Sequence, residues 1–485
     1  MRHQLNSCLF LLLLSTSIQA QQIKVSYAST AFAGVFSGKV LLYLSKDSKT
    51  PKDLGTGLPA LCCFAIEVSQ IKPNTTVLFD DNAKSSPVKL SDIERGEYYV
   101  QAVWDRNTGG RNIGNSPDNI YNESIKINIT KDTKATFSLH CDKVVPSPVF
   151  EETDFVKEVK APSPLLSAFY QKAFTMNAAV LLPAEYYLEP TRTFPVLFRV
   201  SGYGGDYHYY SGKEQKSRLL GSTACILVFL DGNCPTGHNT YTNSDNNGPW
   251  GDALVNDLIP FVEKNYRCNG ARVLSGHSSG GWSALWLQIN YPTTFAGCWA
   301  SSPDPVDFRN FQQVNLYADK NMFYDTNMDL RLVGSVAGFI PWIYLRDDFR
   351  MENVIYRGEQ FASWNAVYGK KTMDGTPEKI CDMSTGEIDS VVVSHWKAYD
   401  ISLLLRNHWE ALQPLIDHKI RISVGNDDNY FLNQSVELLE VEMKNLHSNF
   451  EFVYYPGDHF TIGTTAYNNE GYAFLEKKYL EWVKK

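Results

Sequence analysis

The sequence predicts two domains: a small all-β domain of immunoglobulin-like sandwich type, followed by an α/β domain that carries the chemistry. Three observations lead there. Residues up to about Lys143 alternate like strands and show no helical period. From about Ser167 onward, strands alternate with amphipathic helices. Within that second part, Val273-Leu274-Ser275 runs through Gly276-His277-Ser278-Ser279-Gly280 into the apolar helical pattern of Trp282 to Gln288. A Gly-x-Ser-x-Gly turn between strand and helix is the pattern of a nucleophile elbow, which holds a serine hydroxyl out above a sheet.

A chain of 485 residues is long enough for one large domain and one smaller one. With 44% hydrophobic and 20% charged residues it builds a sizeable core. The net charge of −8 and sequence pI of about 5.7 provide no basic footprint for nucleic acid. Residues 1–20 read as a secretory signal peptide: Arg2, an apolar run from Leu9 to Leu14, and small residues ending at Ala20. Neither that run nor any later one is long enough to span a bilayer, so a secreted or periplasmic protein is expected. Eight cysteines follow the signal at irregular spacings that define no disulfide connectivity; Cys225 and Cys298 lie in apolar runs and are expected as buried free thiols. No spacing of Cys, His or acidic residues suits zinc or calcium, and no cofactor or metal is expected.

In chain order, residues 21–145 form the β-sandwich-like domain, with strands at Gly38 to Leu44, Tyr98 to Trp104 and Ile125 to Ile129. Its expected role is to pack against or space its neighbour, glycan binding being the alternative. Prolines and charges at residues 146–165 suggest a linker. Residues 166–485 form the α/β domain, with strands at Ala178 to Leu182, Pro195 to Val200, Cys225 to Leu230, Arg272 to Leu274, Ala296 to Ala300, Arg421 to Val424 and Glu451 to Tyr455. Helices are expected at Trp250 to Tyr266, Val436 to Leu446 and Tyr472 to Val483. An aromatic-rich, mostly helical or irregular insertion at about 306–417 is expected to cap the site or contribute to an interface.

A serine hydroxyl is a poor nucleophile until a base takes its proton and an acid orients that base. Ser278 is the candidate nucleophile. Of the histidines after Cys268 (His277, His395, His408, His418, His447 and His459), only His459 stands in a loop directly after a late strand. The acid belongs in the loop after the preceding strand, where Asp427 and Asp428 are adjacent; Asp428 is the first choice and Asp427 the second. The oxyanion needs two preorganised N–H donors. The amide of Ser279 is one, and the glycine-rich loop Ser201-Gly202-Tyr203-Gly204-Gly205 offers the other, Tyr203 before Gly204.

With those residues in place, the chain from about Ala178 onward resembles the putative-esterase family of α/β-hydrolases, which includes esterase D, enterochelin esterases, feruloyl and acetylxylan esterases and the mycolyltransferases. The matching stretches are Ala179 to Pro183, Ser201 to Gly205, Gly276 to Trp282, Gly425 to Asn433 and Gly457 to Phe460. Exported bacterial members with a β-rich N-terminal module are especially similar, through Ser302 to Phe308, Asp374 to Pro377 and Thr385 to Asp389. The resemblance places the acid on Asp428. The oxyanion loop reads Ser-Gly where esterases commonly carry His-Gly. The function so implied is serine ester hydrolysis through an acyl-enzyme, acting on a small-molecule or glycan-linked ester. Acyl transfer by the same residues, or a non-catalytic glycan-binding protein on a hydrolase scaffold, is the alternative.

Overall fold

Two sheets build the N-terminal domain in the computed structural model, which describes residues 22–56, 61–130, 136–336 and 340–484. The expected signal peptide lies outside the described residues. Gln22–Tyr27, Val77–Phe79 and Thr136–Cys141 make a three-stranded sheet; Phe36–Ser45 is central in a second, flanked by Leu61–Ile71 and Gly96–Asp105. The strand Phe36–Ser45 explains its own unbroken apolar run. Val40, Leu42 and Leu44 face the other sheet and pack with Tyr27, Phe64 and Trp104. Leu41 and Tyr43, on the opposite face, pack against Met351, Val354 and Ile355 of the α/β domain. A strand buried on both faces has no reason to alternate with polar residues.

The α/β domain is organised on eight strands: β1 (Val156–Pro162), β2 (Thr175–Leu181), β3 (Phe194–Val200), β4 (Ile226–Leu230), β5 (Cys268–His277), β6 (Gly297–Ser301), β7 (Ile420–Gly425) and β8 (Glu451–Tyr455). Their order is β1-β2-β4-β3-β5-β6-β7-β8, and β2 alone runs against the rest. This is an α/β-hydrolase sheet, as the sequence predicts. Its alternation shows in β3, where Val196, Phe198 and Val200 join one core and Leu197 joins the other. On the second face the C-terminal helix Thr465–Val483 lies close because Gly471 has no side chain; a Cβ there would stand 2.3 Å from the Trp299 ring.

Three expectations need correction. The stretch read as a linker, 146–165, contains β1, the edge strand of the main sheet. Its charged residues misled because an edge strand exposes one side to water. Pro164 is the first residue of the helix Pro164–Tyr170, capped by the Ser163 hydroxyl, which accepts from Leu166 N–H at 3.2 Å. The helix expected from Trp250 to Tyr266 contains a π-helical turn at Leu254–Leu258, ahead of Pro260, whose ring lacks the N–H that regular winding needs. The insertion is not only helical or irregular: Leu332–Val336 and Ile340–Tyr344 pair as a hairpin. All eight described cysteines are free thiols, Cys225 and Cys298 among the buried ones. No helix among the described residues is long and apolar enough to cross a membrane.

Candidate active site

Ser278 sits between β5 and the helix α1 (Ser279–Asn290) with φ 59° and ψ −129°, a backbone conformation that a non-glycine residue rarely holds. Packing holds it there. A Cβ on Gly276 would stand 2.0 Å from the Gly280 carbonyl oxygen, and one on Gly280 would stand 2.3 Å from the Val200 carbonyl oxygen. Both glycines of the motif are therefore demanded by close backbone approach. The Ser278 N–H donates to Ser301 O at 3.0 Å, tying the turn to the end of β6.

His459 follows β8, and its Nδ1–H donates to Asp428 Oδ2 at 2.8 Å. Both side chains are buried. Asp428 follows β7 and is itself held by the Tyr430 N–H at 3.0 Å, while Asn429 Oδ1 accepts the His459 N–H at 3.1 Å. Asp427, the alternative acid, is exposed, and its backbone N–H donates to Gly457 O at 3.1 Å. The structure thus pairs His459 with Asp428.

Ser278 and His459 line one cavity of about 390 Å³, together with Gly202, Tyr203, Trp364, Tyr430 and Phe460. Gly202 abuts the nucleophile turn: a Cβ there would meet His277 O at 3.1 Å and Ser278 Cβ at 3.6 Å. Tyr203 faces this cavity, whereas Gly204 lines a separate cleft of about 570 Å³ beside the N-terminal domain. Ser279 is buried at the first turn of α1. The insertion supplies much of the lining, including Val333 and Ile343 from its hairpin and Trp364 from its helix Gln360–Tyr368.

Two neighbours of the site are given no role in the sequence reading. Asp304, just after β6, accepts from Ser279 Oγ at 2.6 Å, Trp364 Nε1 at 3.1 Å and Ser278 Oγ at 3.4 Å. Burial pushes its carboxyl above the usual range, partly offset by those bonds. It lies in the run Ser302 to Phe308, whose similarity to exported esterases was the one available pointer. His277 stands with its ring centroid 4.5 Å from that of His459, and its Nδ1 lies 2.9 Å from Ser301 Oγ. Burial, then the neighbouring His459, holds its pKa down to about 3. It is a neutral group in the cavity lining. His395, in the insertion, pairs with Glu378 at 2.8 Å, outside the cavity lining.

A strained serine and a carboxylate-oriented imidazole lining one cavity, with Gly202 of the glycine-rich loop in its wall, are the residue types that acyl chemistry uses. The profile of the family described as "Putative esterase" matches residues 174–468, more than half of the chain. The chain belongs to this family. It is a carboxylic ester hydrolase. Among solved structures, a ferulic acid esterase shares 12% identity with this esterase, covering 68% of its chain and all of the other, at a TM-score of 0.39. The fluorophosphonate-binding serine hydrolase F of Staphylococcus aureus shares 14% identity over 67% of this chain and 97% of its own, at 0.38. An S-formylglutathione hydrolase from Agrobacterium tumefaciens shares 14% over 68% and 96%, also at 0.38. No curated protein matches the esterase.

Proposed function

We propose that this esterase works through an acyl-enzyme formed on Ser278, with His459 as general base and Asp428 as its orienting acid. The observation that carries the reading is the 2.8 Å bond from His459 Nδ1 to Asp428, which leaves Nε2 of an imidazole in the same cavity as Ser278 to take a proton. In the resting protein the Ser278 hydroxyl is directed at Asp304, so attack begins with its rotation toward His459. Ser278 Oγ then bonds to the ester carbonyl carbon as His459 accepts its proton. The imidazolium returns that proton to the leaving alkoxide, and water, deprotonated by His459, releases the acid in the second half-reaction. Negative charge on the carbonyl oxygen falls to the Ser279 N–H, at the start of α1, and to the Tyr203 N–H of the glycine-rich loop.

Hydrolysis of p-nitrophenyl acetate by wild type and Ser278→Ala tests the reading. Turnover should vanish in the variant, together with labelling by a fluorophosphonate probe; equal rates would reject it. Export belongs to the same proposal, supported by Arg2, the Leu9 to Leu14 run and the small residues up to Ala20. Sequencing the N-terminus of protein recovered outside the cytoplasm should start at Gln21.

A further inference from the structure

The N-terminal β domain reaches the catalytic cavity. Gly55 and Thr56 line it, and Arg111 lies immediately behind its wall. Arg111 Nη1 donates to the Tyr203 hydroxyl at 2.6 Å and to Gly358 O at 3.1 Å, and its guanidinium carbon stands 4.5 Å from the centre of the Tyr203 ring. The Tyr203 hydroxyl in turn donates to Glu359 Oε2 at 2.7 Å. Three separate parts of the chain therefore meet at one phenol: the β domain, the glycine-rich loop after β3 and the insertion. Gly358 makes the approach possible. Its φ is +87°, and a Cβ there would stand 2.1 Å from Arg111 O.

Glu359 is buried, and burial raises its carboxyl pKa, with Arg111 as the first force acting the other way. Without that cation the buried Glu359 carboxyl would lose its counter-charge, and the Tyr203 hydroxyl would keep only Glu359 and Gly358 O, at 3.2 Å, of its three hydrogen-bond partners. Tyr203 is the residue after Gly202, which lies so near the nucleophile turn that a Cβ on it would stand 3.1 Å from His277 O. Movement of the phenol is therefore movement of the loop that faces Ser278.

We propose that Arg111 is a positioning residue for this loop: it holds the Tyr203 hydroxyl against Glu359 so that the backbone at Gly202 and Tyr203 stays in register with Ser278, making the N-terminal domain a working wall of the active site. The proposal rests on the acyl-enzyme reading above. It goes beyond a spacer role, which would leave turnover indifferent to Arg111.

The test uses the full chain with Arg111→Met, Arg111→Lys, Tyr203→Phe and the double variant Arg111→Met/Tyr203→Phe, assayed with p-nitrophenyl acetate beside Ser278→Ala. Displacing an oxyanion donor by about 1 Å costs on the order of 100-fold, so kcat in Arg111→Met should fall roughly 10- to 100-fold while KM moves less than about threefold. Arg111→Lys should recover part of the loss, because an ammonium reaches one of the two acceptors but cannot span both. Tyr203→Phe should show the same kcat loss, and the double variant should be no worse than the poorer single one. If Arg111→Met fails to fold, Tyr203→Phe carries the test, since it removes one oxygen and keeps Arg111. Wild-type kcat in folded Arg111→Met or in Tyr203→Phe, or additive losses in the double variant, overturns the proposal while an inactive Ser278→Ala leaves the acyl-enzyme reading standing. An active Ser278→Ala overturns both.

Discussion

Ser278 Oγ donates to Asp304 Oδ1 across 3.4 Å, and the other oxygen of the same carboxyl accepts from Ser279 Oγ and Trp364 Nε1. Asp304 thus ties the nucleophile turn to the insertion helix Gln360–Tyr368 that covers it. Its partners Ser279 and Trp364 are buried, and leaving a buried donor unpaired costs about 1–3 kcal/mol. Asp304→Ala should therefore lower the unfolding free energy by about 2–4 kcal/mol, while Asp304→Asn, which keeps an acceptor and the volume, should lose less than about 1 kcal/mol. Urea unfolding of both variants measures it. Equal losses would show that the charge of Asp304 matters more than its bonds.

The two adjacent carboxylates should separate cleanly. Asp428 is buried against His459, whereas Asp427 is exposed. Asp428→Asn leaves the imidazole in the wrong tautomer and should lower kcat by about a thousandfold or more. Asp427→Asn should stay within about twofold of wild type, as surface changes usually do. Steady-state kinetics on an ester decides, and the reverse ranking would move the acid to Asp427.

Acid should weaken the fold through His238. Its Nε2–H donates to Ser201 O at 2.9 Å, and its Nδ1 accepts the Thr240 N–H at 3.1 Å, so neither nitrogen has room for a second proton. Burial lowers its pKa from 6.5 to about 4. A neutral buried histidine contributes stability that is present above its unfolded pKa and is lost as pH falls through that window toward the folded value. The loss from this group is about 3 kcal/mol between pH 6.5 and about 4. His277, lowered to about 3, extends the same loss. In His238→Gln, which can donate to Ser201 O but does not titrate, Tm should fall less steeply over that range. Identical slopes would remove His238 from the account.

The junction between domains carries a buried ion pair: Arg357 donates to Asp105 through Nε at 2.9 Å and Nη2 at 2.7 Å. Removing one partner leaves an uncompensated charge, a loss of about 3–5 kcal/mol. Arg357→Met and Asp105→Asn should each lower the unfolding free energy by that amount. The double variant should recover part of the loss, measured by urea titration, because no lone charge is left behind.

How far the sequence could be read followed from where each signal resides. Strands such as Phe194–Val200 and Ile226–Leu230 were legible because a strand covered on both faces is nearly continuously apolar. Ser278 was legible because a strained turn needs glycines at fixed offsets, and His459 because it closes a loop after a strand. Val156–Pro162 was hidden because an edge strand tolerates the charges and prolines that also mark linkers. Asp304 and Arg111 were hidden for a different reason. Each is one polar residue in a loop, and its partners, Trp364 for one and Tyr203 for the other, lie 60 and 92 positions away.

By itself, then, the sequence determined the two-domain order, the α/β sheet and the three loops that hold Ser278, Asp428 and His459, since local backbone demands and hydrophobic period are properties of neighbouring residues. Tertiary structure alone decided where the Ser278 hydroxyl rests and that a β domain nearly 100 residues upstream presses Arg111 against the cavity wall. Those choices depend on burial and on distances between segments far apart in the chain, and no periodicity records them.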